Sequence, residues 1–327
     1  MLPRRSCFLG GTYVKPYAFG VDIGGTAIKL GLFRADGTLL EKWQIPTRTQ
    51  DQGRLVLPDV LEAIQKCMDA RSITWDDVEG IGMGVPGPVG DDGTVFGCVN
   101  LGWDVFNVPE KLLELEPGLR KARVSNDVNA ATLGELWEGG AQGHHSAFMV
   151  TLGTGIGGGL VINDEIINGE NGGAGEIGHF CVEPSEAERC KCGGHGCLEQ
   201  YCSATGLLRQ AKKALAENPD TVSIMKNNPD LTAKDVCDAA KQGDTLALDL
   251  LDRLGQRLGW ALTAAAGTAD PEVFVIGGGL SNAGEILLDK IEFYYRKYAF
   301  HAFRNTPFVL AKLGNDAGIY GCAKMIL

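Results

Sequence analysis

Two stretches of the chain share one plan, and that repetition limits the folds open to it. Phe19–Phe33 and Met149–Ile162 each run as an apolar strand, a turn rich in Gly and Thr, and a second apolar strand. The second copy contains a literal G-x-G-x-x-G in Gly153, Gly155 and Gly158. A dinucleotide-binding turn needs a helix after those glycines, because the helix N-terminus holds the pyrophosphate. Leu160, Val161 and Ile162 follow instead, a strand-forming run, so a dehydrogenase is excluded. No G-x-x-x-x-G-K-[ST] occurs, so there is no P-loop. What remains is a duplicated α/β fold with two phosphate-gripping hairpins facing each other across a cleft.

The first hairpin turns at Asp22, Gly24, Gly25 and Thr26. A carboxylate at a strand end, followed by glycines with free N–H groups, is a place for a phosphate or its magnesium, although G-G also suits a plain tight turn. The second hairpin offers Gly153, Thr154, Gly155 and Gly157. A third cluster, Gly277, Gly278 and Gly279, follows the strand Val273–Ile276 and precedes a helix expected from Ala283 onward. Such a turn lets a nucleoside approach the backbone closely.

Other residues suggest an organic substrate. The strand ending at Asn126 and Asp127 runs straight into a helix. Asp at such a junction is an ordinary N-cap, but open α/β sheets also place reactive side chains there. Asn126 and Asn129 are candidate polar support. Ile81–Gly87 reads as a strand closing on a Pro/Gly loop. In Asn100–Asp104, Asn100 offers a donor and an acceptor and Trp103 a flat apolar face, a pairing that suits a sugar.

The segment Glu176–Glu199 concentrates metal-binding chemistry. Cys190, Cys192 and Cys197 are spaced C-x-C-x4-C, with glycines at 193, 194 and 196. Thiolates and an imidazole are the ligands zinc prefers, and four protein ligands leave no open position, so the metal would be structural. Two histidines compete for the fourth place. His195 lies inside the cysteine loop. His179 lies outside it and would pin a longer stretch of chain.

Composition bounds the rest. At 327 residues the chain is long enough for two domains. A formal charge of −11 argues against a nucleic-acid partner, whose backbone demands clustered Lys and Arg. No apolar run reaches the ~20 residues that span a bilayer. The seven cysteines outside the metal motif (Cys7, Cys67, Cys98, Cys181, Cys202, Cys237 and Cys322) are scattered, as buried thiols of a reducing compartment would be. The cytoplasm is the expected location. Residues 1–16 read as a poorly structured lead-in.

Taken together, DIGGT at 22–26, GVPGP at 84–88, ND at 126–127, TGIGGG at 154–159, GEIGH at 175–179 and CKCGGHGCLE at 190–199 resemble the ROK family of repressors, open reading frames and kinases. The ordered set covers nearly the whole chain after the lead-in. The resemblance implies an actin-like ATPase fold with two α/β domains of the ribonuclease H type. The expected division is 1–125, completed by a C-terminal helix over 314–327, and 126–313. The resemblance further implies ATP-dependent phosphorylation of glucose at its 6-hydroxyl, with Asp127 as general base. Gly87, Asn100, Asn126, Asp127, Glu176, His179 and Glu199 would contact the sugar. Asp22, Gly24, Gly25, Thr26, Gly153, Thr154, Gly155, Gly157 and Gly277–Gly279 would handle ATP and magnesium. His179, Cys190, Cys192 and Cys197 would hold structural zinc, which favours His179 over His195. A homodimer or larger assembly is expected. The family also contains kinases for fructose, N-acetylglucosamine or N-acetylmannosamine, and sugar-responsive repressors. The lead-in before Asp22 is too short for a repressor's DNA-binding module.

Overall fold

A computed structural model of the chain describes residues 8, 9, 12, 13 and 15–327. Most of the expected lead-in therefore lies outside the described residues. The chain divides into two compact units, one formed by 1–143, 163–174 and 315–327 and the other by 144–162 and 175–314.

The first unit is built on strands β1 (Tyr17–Ile23), β2 (Ala27–Arg34), β3 (Leu39–Pro46), β4 (Val78–Val85) and a later strand of the same sheet, Ala122–Asn126. The sheet order is β3-β2-β1-β4 followed by that strand; the β1–β2–β3 meander is antiparallel and the last two pairings are parallel. The apolar alternation of β1 and β2 puts Phe19, Val21, Ile23, Ile28, Leu30 and Leu32 in a core closed on one face by helix α1 (Val56–Arg71) through Val56, Val60, Ile64 and Met68. A second hairpin, β5 (Thr94–Cys98) and β6 (Trp103–Asn107), carries Asn100 in its turn. It leads through α2 (Val108–Leu115) to the sheet strand β7 (Ala122–Asn126) and helix α3 (Asp127–Glu138).

Helix α9 (Ala317–Ile326) completes this unit on the other face of the sheet, packed on α3, β1 and β4. Glycines make that packing possible. A Cβ at Gly20 of β1 would lie 2.0 Å from the Ile319 carbonyl oxygen, one at Gly82 of β4 1.7 Å from that of Cys322, and one at Gly321 1.6 Å from that of Ala130 in α3. Backbone therefore meets backbone at three places. The expected boundary at 125/126 falls inside this unit, because α3 buries its Ala130–Gly134 face against α9 rather than starting a new core.

The second unit repeats the strand plan. The hairpin β8 (Ala147–Leu152) and β9 (Ile156–Ile162) is antiparallel, β10 (Val273–Gly277) runs parallel to β8, and β11 (Phe308–Leu310) parallel to β10. Helices α4 (Glu199–Cys202), α5 (Ala204–Glu217), α6 (Ala233–Lys241), α7 (Thr245–Ala269) and α8 (Glu285–Tyr298) surround it. Its core joins Phe148, Val150 and Phe274 of the sheet to Leu251, Leu258 and Leu262 of α7 and Ile291 and Tyr295 of α8. Helices α4 and α5 are separate, since Ser203 leaves the helical region (φ −76°, ψ 170°) and caps α5 by accepting the Gly206 N–H. Among the described residues no helix is long and apolar enough to cross a membrane.

Gly321→Ala is expected to lower stability by about 3 kcal/mol, since the added methyl must push two backbones apart. Gly173→Ala, where a Cβ would meet nothing within 4 Å, is the control. Equal thermal midpoints for the two variants would contradict this packing.

Candidate functional site

In the first unit Asp22 is the penultimate residue of β1, beside the turn Gly24–Ala27. Thr47 stiffens that turn. Its N–H donates to the Thr26 carbonyl at 3.0 Å and its hydroxyl to the Gly24 carbonyl at 2.6 Å. Lys29 points its ammonium at Asp22 (3.5 Å) and donates to the Asn315 carbonyl at 2.9 Å. Burial pushes the Asp22 carboxyl above its ordinary range, and Lys29 only partly opposes this. A buried carboxylate with one ammonium 3.5 Å away is suited to sharing a divalent cation that neutralises it.

The strand-to-helix junction in the same unit forms a second constellation. Asn126 caps α3, its side-chain oxygen accepting the N–H groups of Val128 (2.9 Å) and Asn129 (3.2 Å). Its amide donates to the Gly87 carbonyl at 3.2 Å, so the GVPGP loop and the helix start are tied together. Asp127 is the first helical residue, half-buried, with one carboxylate oxygen on the Val128 N–H at 2.9 Å. Beneath it Asn168, itself buried, accepts from Ser125 and Asn129, each at 3.2 Å, and donates to Asp91 at 3.0 Å. These bonds hold the residues on either side of Asp127 in place.

In the second unit the turn between β8 and β9 closes with a bond from the Gly153 N–H to the Gly155 carbonyl, 3.0 Å. Gly278, in the left-handed region at φ +81°, sits against the end of β8, where a Cβ would lie 2.6 Å from the Leu152 nitrogen. The second and third glycine clusters are therefore neighbours. Gly157 falls within β9, paired with Thr151, rather than in the turn. The segment bearing Glu176 and His179 lies on the same hairpin. A Cβ at Gly158 would be 1.9 Å from the Gly175 carbonyl oxygen, and one at Gly178 2.4 Å from that of Ile156.

His179, Cys190, Cys192 and Cys197 bring their ligand atoms within 4.8 Å of one another. His179 Nδ1 is 3.9 Å from Cys190 Sγ, and Cys192 Sγ is 3.6 Å from Cys197 Sγ. A tetrahedron with zinc–sulfur bonds of about 2.3 Å needs sulfurs about 3.8 Å apart, so the donor set fits zinc. His195 is not in the group. The loop turns at Gly193 (φ +92°) and Gly196 (φ +64°), and a Cβ at Gly196 would strike the Glu183 carbonyl oxygen at 1.9 Å. A side-chain clasp also holds it: Tyr201 Oη to Glu186 at 2.5 Å, Arg209 to Glu186 at 2.9 Å, and Gln200 bridging the Cys197 N–H and the Glu188 carbonyl, both at 3.0 Å. The Tyr201 hydroxyl is the main reason the Glu186 carboxyl is held down at about 2. Glu176 is pushed up, chiefly by burial and also by Glu199, against the pull of His179. Glu176, His179 and Glu199 thus form one cluster.

Two expectations need correction. Trp103 does not offer a face to a ligand: it is buried, donates its indole N–H to the Gly53 carbonyl at 3.2 Å and packs edge-on to Phe106. The unassigned cysteines are not uniformly buried either. Cys67, Cys98, Cys202, Cys237 and Cys322 are, but Cys181 is exposed, and Cys7 lies outside the described residues. Lys29, Thr47 and Asn168 escaped the sequence reading. Only Lys29 left a signal, since it follows Asp22 seven positions later on the partner strand, directly opposite in register.

Two units with the same strand plan, each opening on a glycine hairpin, define the class: an actin-like ATPase fold. The chain belongs to the ROK family, whose profile matches residues 18–327. It is 41% identical to a glucokinase of Halalkalibacterium halodurans over 306 residues, covering 92% of each chain. Among solved structures it is similar to a ROK family glucokinase from Streptomyces griseus in complex with glucose and AMPPNP, at 33% identity, with a TM-score of 0.73 and coverage of 94% of this chain and 98% of that one. It is also similar to a ROK hexokinase from Thermus thermophilus, at 31% identity, with a TM-score of 0.76 and coverage of 94% and 97%.

The raised pKa of Asp22 carries a sign that can be tested. An acid that holds its proton more tightly when folded makes stability fall as pH rises from its unfolded pKa to its folded one, and the loss persists above that window. Asp22→Asn is therefore expected to melt at a higher temperature than the parent at neutral pH, and at the same temperature below the carboxylate range. A lower midpoint at neutral pH would show that the Lys29 pair outweighs the burial.

Proposed function

We propose that this chain transfers the terminal phosphoryl group of ATP to the 6-hydroxyl of glucose, giving glucose 6-phosphate and ADP, with Asp127 as general base. The observation that carries the reading is the junction at Asn126 and Asp127. It is a carboxylate at a strand's carboxyl end, braced by a capped helix and a Pro/Gly loop, in a chain 41% identical to a glucokinase. A sugar hydroxyl is a poor nucleophile at neutral pH. A carboxylate within hydrogen-bond reach accepts its proton as the bond to phosphorus forms.

The remaining residues bind and align. Gly87, Asn100, Asn126, Glu176, His179 and Glu199 supply fixed donors and acceptors for the sugar hydroxyls; a sugar lacking the matching hydroxyl would leave them unpaired at a cost. The turns at Gly24–Thr26, Gly153–Gly155 and Gly277–Gly279 aim backbone N–H groups at the nucleotide. Asp22 would hold magnesium, with Lys29 beside it; when bound, that ion neutralises charge on the phosphates. Zinc would be held by His179, Cys190, Cys192 and Cys197, its role to stiffen the loop. With Nδ1 turned to the metal, the Nε2 of His179 is left for the substrate. The nine described cysteines without disulfides fit a reducing cytoplasm. Exposed Trp260, Phe293 and Phe300 fit a homodimer or larger assembly, which sedimentation velocity would read.

ADP release measured against a panel of hexoses and N-acetylhexosamines should be greatest for glucose; a higher kcat/KM for another sugar would replace the substrate named here. Asp127→Asn is expected to lower kcat about a thousandfold while glucose still binds within a few-fold of the parent affinity. Unchanged turnover would remove Asp127 as the base.

Cys192→Ala is expected to bind almost no zinc by elemental analysis and to lose most of its activity. A zinc-free variant with parental turnover would refute the stiffening role.

A further inference from the structure

The residues between the metal loop and helix α5 make a second connection that sugar binding does not require. Glu199 turns one carboxylate oxygen, Oε2, away from the metal ligands and accepts the Ile156 N–H at 3.0 Å. A Cβ at Gly155 would lie 2.1 Å from that same oxygen, so a larger residue there would displace the carboxylate. Five residues on, the Ala204 N–H donates to the Gly153 carbonyl at 2.8 Å. The Thr205 hydroxyl donates to the Thr154 carbonyl at 2.6 Å. Two consecutive carbonyls of one turn, plus the N–H that follows it, are thus engaged by a single short segment.

That segment is internally braced. The Ser203 hydroxyl, fully buried, donates to the Glu199 carbonyl at 2.7 Å, accepts the Gly206 N–H at 3.0 Å and lies 3.0 Å from Thr205 Oγ1. Glu199 follows the metal ligand Cys197 by two residues. Of the three contacts, those of Glu199 and Ala204 use a proposed sugar ligand and a main-chain group. Thr205 is the member that can be removed alone: its side chain is exposed, and its bond to Thr154 is the one a substitution deletes cleanly.

We propose that Thr205 is a positioning residue for the nucleotide turn, holding the Thr154 peptide so that the neighbouring N–H groups face the phosphates. The inference rests on the reading of Gly153–Gly155 as a nucleotide-binding turn. A turn with three glycine or threonine peptides has many accessible backbone states, and each state excluded before binding is entropy not lost on binding. A hydroxyl-to-carbonyl bond on the middle peptide restricts that peptide directly. Glu199 is shared between the turn and the sugar cluster, but its bond to Ile156 does not involve Thr205, and the loop before it is held by the Glu186–Tyr201–Arg209 clasp, so the loss of the Thr205 hydroxyl falls on the nucleotide side.

The experiment compares the parent, Thr205→Val and Thr205→Ser by calorimetric titration with magnesium AMPPNP and, separately, glucose. Amide hydrogen exchange of the peptide spanning 148–162 is followed with and without AMPPNP. Valine keeps the branched shape and deletes the donor, and is expected to weaken AMPPNP about five- to tenfold, with KM for ATP rising to match. Serine should restore it, and glucose affinity should stay within about twofold for all three. An AMPPNP affinity unchanged by valine overturns the proposal, as does a loss that serine fails to recover or a glucose affinity that falls in parallel. If AMPPNP protects 148–162 in the parent while valine changes nothing, Thr205 is excluded and the nucleotide reading of the turn stands. If the parent shows no protection there, the reading of the turn fails and the role of Thr205 falls with it.

Discussion

Everything in the first unit depends on how closely α9 approaches its sheet. Ordinary helix-on-sheet packing interposes two layers of side chains. Here Gly20, Gly82 and Gly321 remove them, and carbonyl oxygens of α9 and α3 occupy the space where a Cβ would be. Close packing of this kind has little tolerance for added volume. It also has a directional result. Helix α9 spans β1, β4 and α3 together, so the ends of β1 and β7 are held at fixed positions on one sheet. Those ends carry Asp22 and Asp127. Even Gly318 at the start of α9 is part of this, because a Cβ there would lie 2.7 Å from the Asp22 carboxyl carbon.

The second unit reaches comparable precision by other means. Its strands repeat the plan of the first, but many of its candidate residues lie on turns and irregular chain between 153 and 197 rather than on strand ends. Irregular chain has to be fixed bond by bond. Gly158 and Gly178 let the Glu176–His179 segment rest on the hairpin, four soft donors converge at the metal loop, and the 199–205 segment grips the glycine turn. A metal suits such a place because it replaces the hydrophobic core that a Gly-rich loop cannot form.

Both units keep polar groups in costly surroundings near the proposed chemistry. Burial raises the carboxyls of Asp22 and Glu176 above their ordinary range. A surface residue would relax into water, but these are held by the packing around them. Carboxyls raised by burial recur at sites that bind cationic or hydroxyl-bearing ligands.

The sequence alone determined the strand plan, the three glycine turns, the Asn126–Asp127 junction and the three cysteines of the candidate metal cluster, while it left the accompanying histidine open between His179 and His195. Each is local: alternation, glycine spacing and ligand chemistry are set within a few residues. The tertiary structure decided what those patterns could not carry. Trp103 could equally face a ligand or the core, and only the Gly53 carbonyl fifty residues away made it a core residue. The division of the chain depended on whether α3 belonged to its own hairpin's sheet or to the C-terminal helix, a contact made across nearly two hundred residues. Thr47, Asn168 and Thr205 are ordinary residue types whose meaning comes entirely from the distant carbonyl or carboxylate each one reaches. Hydrogen bonds between residues far apart in the chain leave no period and no spacing, so they become visible only when the backbone has brought the partners together.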